Sequence, residues 1–267
     1  CSGGVDSVVL THLCHAMGFK LTLAHCNFNL RGEESDGDEA FVTGLGKQLS
    51  IPVRTISFDT EKEKSKLRES TQMTARSLRY EWFDTLVSEG VGEYLLTAHH
   101  LDDALETFLI NLSRGTGIQG LTGIPVQQEY IVRSLLPFTR EEVLSYAKQE
   151  GLSWREDQSN QDIKYLRNQI RHDVIPALKT LRPDFLERFQ DTLTHLQATA
   201  EIQDGHIKHI RERLFRKEEH REVIALTDLL QLDALESHVY QLFRPYGFTN
   251  TDELLKLFSA MSGKVLY

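Results

Sequence analysis

Six consecutive residues, Ser2-Gly3-Gly4-Val5-Asp6-Ser7, constrain this chain more than any other stretch. Neither glycine carries a Cβ and both tolerate φ > 0, so the backbone here can come close to an anion. Ser2 and Ser7 offer hydroxyls at either end, and Asp6 is a hard oxygen ligand suited to magnesium. The run from Val8 to Met17 follows with apolar residues at helical spacing. The glycines therefore open a helix whose free N–H groups and positive dipole end face whatever binds there. That is the layout of a phosphate cradle. Two familiar phosphate loops are excluded at this position. The stretch has no GxxxxGK[ST] run and no lysine, and it lacks GxGxxG.

SGGVDS resembles the pyrophosphate-binding loop of the N-type ATP pyrophosphatases. The resemblance implies cleavage of ATP between the α- and β-phosphates, adenylation of a substrate and release of pyrophosphate. Ser2, Gly3, Gly4, Val5, Asp6 and Ser7 would then hold the nucleotide, with Asp6 on magnesium.

The 267 residues suffice for one or two domains, and 40% apolar with 26% charged residues is ordinary for a water-exposed globular fold. No stretch approaches the roughly 18 apolar residues of a membrane span. Cys1, Cys14 and Cys26 form no CxxC pair and no metal-ligand spacing, and so sparse a set fits a reducing cytoplasm. A phosphate loop of this kind follows a strand, and here it begins at once, so the expectation is a fragment of a longer parent. The segment Met261–Tyr267 likewise reads as the start of a further strand.

Along the chain, 20–28 and 52–58 alternate as strands, 93–98 is a short apolar strand, and 131–137 reads as an edge strand. Helical patterns fall between them, at about 36–49 and 74–90, with a densely charged stretch at 59–68 that suits a lid or helix. Strands alternating with helices argue for a parallel sheet with right-handed crossovers. In such a sheet the ligand lies beyond the carboxyl ends of the strands, where both SGGVDS and the segment after Thr97 fall. Thr139 caps a helix closed by Gly151, and Arg167–Leu178 reads as another. From 184 to 215 one long charged amphipathic helix follows, and 223–260 reads as helical. The expected division lies near 183.

The second motif is His99-His100-Leu101-Asp102-Asp103-Ala104-Leu105-Glu106-Thr107. On a helix beginning near Leu101, the three carboxyls share a side, while Leu105, Phe108 and Leu109 cover the other. Carboxylates so close repel one another unless a cation compensates them. Magnesium with ATP supplies one. Relief of that repulsion by substitution is expected to leave stability level or raise it. The bland alternative is acids capping a helix N-terminus.

SGGVDS followed by HxxDDxxET resembles the pyrophosphatases that modify tRNA bases. RGTGIQGLTGI (114–124), the stretch from Leu135 to Leu178, the early LRGEESDGDE and the ARSLRY run are similar to those of the tRNA(Ile)-lysidine synthetases. The match covers about residues 1–180. It departs at Phe28, where the family pattern has a second histidine, so no role beyond His25 is carried over there. The resemblance implies an adenine-nucleotide alpha-hydrolase-like α/β domain over 1–183, with its first strand missing. A smaller all-helical, tRNA-contacting domain would follow over 184–267.

It further implies a ligase that adenylates the wobble cytidine of an isoleucine tRNA and joins free L-lysine to it. Catalytic roles would fall to Asp6, Asp103 and Glu106, with metal on Asp6 and Asp103. Alternatively, Asp103 and Glu106 would draw and deprotonate the lysine ammonium. His25 and His99 would contact the nucleotide, and His99 and His100 either the base or the α-phosphate. Asp102, Arg114, Arg167 and Arg171 would bind substrate. A net charge of −9 argues against a uniformly basic RNA surface, yet 164–182 holds five basic residues against Asp173 alone. A homodimer is an open option. The competing readings are a tRNA thiolase, for which only Cys26 is placed, and a nucleotide- or RNA-binding module without catalysis.

Overall fold

The computed structural model describes residues 1–67, 70–156, 166–219, 221–248 and 250–260. The strand expected over Met261–Tyr267 and the basic residue Lys164 lie outside them. The chain divides into two compact units, Cys1–Thr194 and His195–Tyr267.

In the first unit, helix α1 (Val5–Ala16) leads into strand β1 (Leu23–Asn27), then helix α2 (Glu33–Leu49) and strand β2 (Val53–Ser57). β1 and β2 pair in parallel from Leu23↔Val53 to Asn27↔Ser57. α2 stops at Ser50, whose left-handed φ of 57° turns the chain, and the Ile51 amide caps the Gly46 carbonyl at 2.8 Å. Gly46 allows the helix to lie directly on β2, since a Cβ there would come within 2.2 Å of Val53 Cγ2. α1 is buried on two sides. Val8 packs with Leu23, Val42, Leu45 and Ile51, while Val9, Leu10 and Cys14 pack with Leu135, Val143 and Ala147. Each such aliphatic side chain contributes about 1.5–3 kcal/mol by burial, which anchors the cradle's helix.

The charged stretch after β2 is helix α3 (Thr60–Leu67), and Ser70 caps helix α4 (Thr71–Ser88) by accepting from the Met73 amide. Strand β3 (Leu95–Leu96) then precedes helix α5 (Leu101–Ser113) and the short helix α6 (Ile118–Leu121). Strands β4 (Gln127–Gln128) and β5 (Ile131–Val132) complete a second sheet in the order β3-β5-β4, with β5 parallel to β3 and antiparallel to β4. β5 is therefore central rather than the expected edge strand. It is short because Leu135 and Leu136 leave the ladder to enter the core. Gly115-Thr116-Gly117-Ile118-Gln119-Gly120 has GxGxxG spacing but follows a helix instead of a strand, so it lacks the dinucleotide-binding context.

Helix α7 (Arg140–Gln149) starts with a full capping box between Thr139 and Glu142. The helix expected over 167–178 is three pieces: α8 (Leu166–Gln169), one π-helical turn (Ile170–Val174) and α9 (Ile175–Leu181). Pro176 explains the break, because it has no N–H to continue the ladder. Helix α10 (Phe185–Leu214) begins within the first unit. There Leu186, Phe189 and Leu193 bury against Leu101, Ala104 and Leu105 of α5.

The second unit is helical, with α11 (Leu226–Leu229), α12 (Leu235–Phe243) and α13 (Thr251–Phe258) around Leu229, Val239, Leu242 and Leu254. The reading of 223 onward as helix misses one hairpin, β6 (Phe215–Glu218) with β7 (Arg221–Ile224). Its polar sequence carries no strand signal. Phe215 stacking on Tyr246 and packing on Phe243 are tertiary contacts.

Candidate active site

The loop opens α1 as its glycines require. Gly3 sits at φ +89°, a conformation that side-chain-bearing residues rarely adopt, and Gly4 is the helix N-cap. The two serines close the loop on itself. Ser7 Oγ donates to the Gly4 carbonyl at 2.9 Å, and the Ser2 amide donates to Ser7 Oγ at 3.2 Å. The Gly4 amide reaches Ser2 Oγ at a long 3.3 Å, so this donor is only weakly engaged. Val5 turns its side chain into the core, leaving its backbone to the cradle.

Asp6 projects from the first turn of α1. Its Oδ1 is buried and has no hydrogen-bond partner, and its Oδ2 lies 3.8 Å from His100 Nε2. Burial pushes its carboxyl above the usual range and Asp103 adds to this, while His100 opposes it. An orphaned buried carboxylate oxygen at a helix N-terminus fits one ligand of a hard cation. Among the described residues no group of three His, Cys, Asp or Glu is gathered to hold a metal alone. A magnesium ion would thus take its remaining ligands from phosphate and water, as it commonly does.

His100 joins the two motifs. It is buried and caps α5, its Nδ1 accepting from the Asp103 amide while its own amide donates to Asp103 Oδ2 at 3.0 Å. The other side of the ring faces Asp6. The starts of α1 and α5 therefore meet across one imidazole.

The three carboxyls of α5 do not converge as expected. Asp102 accepts from the Arg140 amide at 2.8 Å and from Lys179 Nζ at 3.0 Å. Burial alone would raise its pKa, but these two donors overcome that and hold the carboxyl below its ordinary value. It ties α5 to α7 and α9 rather than facing the site. Glu106, 1% exposed, takes a bidentate grip from Arg171 at 2.6 and 3.1 Å, and Arg171 also reaches Asp103 at 3.5 Å. Arg167 stands 3.4 Å from Glu106 and donates to Thr107. The compensating cation assigned to magnesium from the sequence is thus, for Glu106, a guanidinium. The expectation for both Arg167 and Arg171 is substrate binding. The π-helical turn aims Arg171 inward, at the buried Glu106 carboxylate.

His25 lies in β1 at 4% exposure, its Nδ1 donating to the Cys1 carbonyl at 2.9 Å. It buttresses the residue before the cradle. His99 is half-buried, with Nδ1 3.0 Å from Thr97 Oγ1. Arg114 is exposed at the far end of α5, about 17 Å along the helix from Asp103, and is not brought to the site. The sequence reading missed Lys179 and Arg155. Arg155 donates its amide to the Gly3 carbonyl at 3.0 Å and its guanidinium to Asp38. No local pattern could have found either, since their partners lie far away in sequence.

Burial lowers the pKa of both His25 and His99 from the ordinary 6.5, so both rings should be neutral at that pH. Below it the unfolded chain takes up protons that the folded chain refuses, and their contribution to stability is lost as pH falls. Histidine-ring NMR titration checks this, with midpoints expected below 6.5. A His99 midpoint at or above that value would mean a ring in open water.

The PP-loop domain family matches residues 1–178, and the TilS substrate binding domain family matches residues 217–267. The chain is 39% identical over 261 residues to a tRNA(Ile)-lysidine synthase of Porphyromonas gingivalis, covering 97% of this chain and 56% of that protein. It is 36% identical to that of Bacteroides thetaiotaomicron (98% and 61% covered) and 41% identical to that of Chlorobaculum tepidum (79% and 65%). It thus spans little more than half the length of the first of these relatives. Among solved structures it resembles the U34-tRNA thiolase NcsA from Methanococcus maripaludis with its [4Fe-4S] cluster. The TM-score is 0.58 at 18% identity, over 73% of this chain and 70% of that one, a likeness of fold. The glycine cradle at the head of α1, the acidic start of α5 beside it and the match over residues 1–178 agree, and the chain belongs to the PP-loop domain family.

Proposed function

We propose that the chain carries the ATP-using and lysine-joining centre of a tRNA(Ile)-lysidine synthase. The carrying observation is the junction at His100, which sets Asp6 of the cradle beside the Asp103–Glu106 carboxylates. One reaction needs both halves. The cytidine C2 oxygen attacks the α-phosphorus of ATP and pyrophosphate leaves. The lysine amine then attacks C2, AMP departs with that oxygen, and the amine loses a proton.

The loop's amides and the Ser2 and Ser7 hydroxyls would hold the departing pyrophosphate. Magnesium on Asp6 Oδ1 would supply positive charge to the phosphates. Asp103 and Glu106 would attract the lysine ammonium and take its proton. The incoming ammonium would exchange with Arg171, the cation already seated there. Arg167, half exposed beside Glu106, keeps a face for an RNA phosphate. In this reading residues 1–183 do the chemistry, 184–267 contact the tRNA, and the protein works in the cytoplasm. Among the described residues no helix is long and apolar enough to cross a membrane.

A thiolase would need a reactive sulfur. Burial pushes the Cys26 thiol up to about 11, so it is protonated and inert at neutral pH. Cys26→Ser should leave turnover largely intact. Mass spectrometry of isoleucine tRNA treated with the chain, ATP and lysine tests the proposal. A lysine adduct on cytidine with AMP and pyrophosphate is expected. ADP, or a sulfur-for-oxygen change, would overturn it.

A further inference from the structure

The Gly3–Gly4 peptide decides which way the cradle's donor points. In a trans peptide the carbonyl of one residue and the amide of the next point in opposite directions. Arg155 holds the Gly3 carbonyl on one side with its backbone N–H at 3.0 Å. The Gly4 amide is thereby turned the other way, toward Ser2 Oγ and the open loop. Without that anchor, a glycine at φ +89° followed by another glycine has little to stop the peptide from flipping.

What holds Arg155 in place is a side-chain latch across the start of α2. Its guanidinium pairs with Asp38 Oδ1, and Asp38 Oδ2 accepts from Arg31 at 2.8 Å. The guanidinium also lies over Gly37, where even a Cβ would come within 3.0 Å of Nη2. Asp38 is only 16% exposed, and the neighbouring Trp154 packs against both core clusters that flank α1. Arg155 itself is 39% exposed, and an ion pair with one partner this open adds little to global stability, so its consequence is local.

We propose that Arg155 is a positioning residue for the phosphate cradle: latched to Asp38 across Gly37, it keeps its own N–H on Gly3 and so presents the Gly4 amide to a pyrophosphate group. This rests on the ATP reading above. The latch acts on the β- and γ-phosphates and not on the adenosine end, which separates it from general damage.

Calorimetric titration of the full chain with α,β-methylene-ATP, inorganic pyrophosphate and AMP, each with magnesium, tests it. Arg155→Ala should weaken the analogue and pyrophosphate about tenfold, the scale of one misdirected hydrogen bond, and leave AMP nearly unchanged. Arg155→Lys, which keeps a cation for Asp38, should recover most of the loss. Asp38→Asn should reproduce it from the other side of the latch, and serves where Arg155→Ala fails to fold. Folded variants that bind pyrophosphate like the unaltered chain, or that lose AMP equally, overturn the latch. An unaltered chain that binds neither analogue nor pyrophosphate overturns the ATP reading itself.

Discussion

Asp6→Asn should reduce pyrophosphate release by about 10²-fold or more while leaving the chain folded and at least as stable at neutral pH. Both halves of this result follow from the same atoms. Oδ1 is buried without a partner, and burial raises the carboxyl's pKa, so ionised Asp6 is disfavoured in the folded chain. The sign follows from linkage. A carboxyl with a raised folded pKa contributes stability at low pH that is lost as pH rises through that value. At neutral pH the charge is a cost, and the isosteric neutral amide removes it. A site that holds an unfavourable charge in readiness for a cation pays for function with stability. The checks are the melting temperature at pH 7.5 and single-turnover release of labelled pyrophosphate. Near-normal turnover in the variant would reduce Asp6 to an acid at a helix start.

Glu106→Gln should lose activity on a similar scale, about 10²-fold, and should also destabilise the chain by about 3 kcal/mol. This reverses the expectation that substitution in a carboxylate cluster relieves repulsion. Glu106 is 1% exposed and gripped at 2.6 and 3.1 Å by Arg171, itself only 23% exposed. Removing the anion leaves that guanidinium largely desolvated, with Asp103 at 3.5 Å as its remaining ion-pair partner among the described residues. The double variant Glu106→Gln, Arg171→Met should regain much of the stability without regaining turnover. Denaturant unfolding and lysine-dependent AMP release separate the two effects. A single variant that lost stability but kept its specific activity would show the pair to be structural only.

Much of the site was legible because its signals are local. The glycines of the cradle, Asp6 at the start of α1 and the acidic opening of α5 are set by short spacings and backbone sterics. The helix start at Thr139 came from capping chemistry within four residues, whereas the helix capped by Ser70 begins at Thr71, three residues before its expected start. The alternation of strand and helix likewise placed the acidic motif just after a strand, β3. What those signals could not carry is direction in space. Asp102, Asp103 and Glu106 share a helix, yet Lys179, 77 residues later, turns Asp102 away, while Arg171 joins the other two. The π-helical turn forced beside Pro176 makes Arg171, expected to bind substrate, the counter-charge of the buried Glu106.

The sequence by itself thus determined the cradle, the parallel α/β class and the chemistry available at each helix start. Only the tertiary structure decided which charges pair, which strand lies central, where the two units divide and that Arg155 anchors Gly3. The physical reason is range. Backbone sterics and caps act within a turn, whereas the cost of burying an ionised group depends on whichever partner the folded chain brings to it.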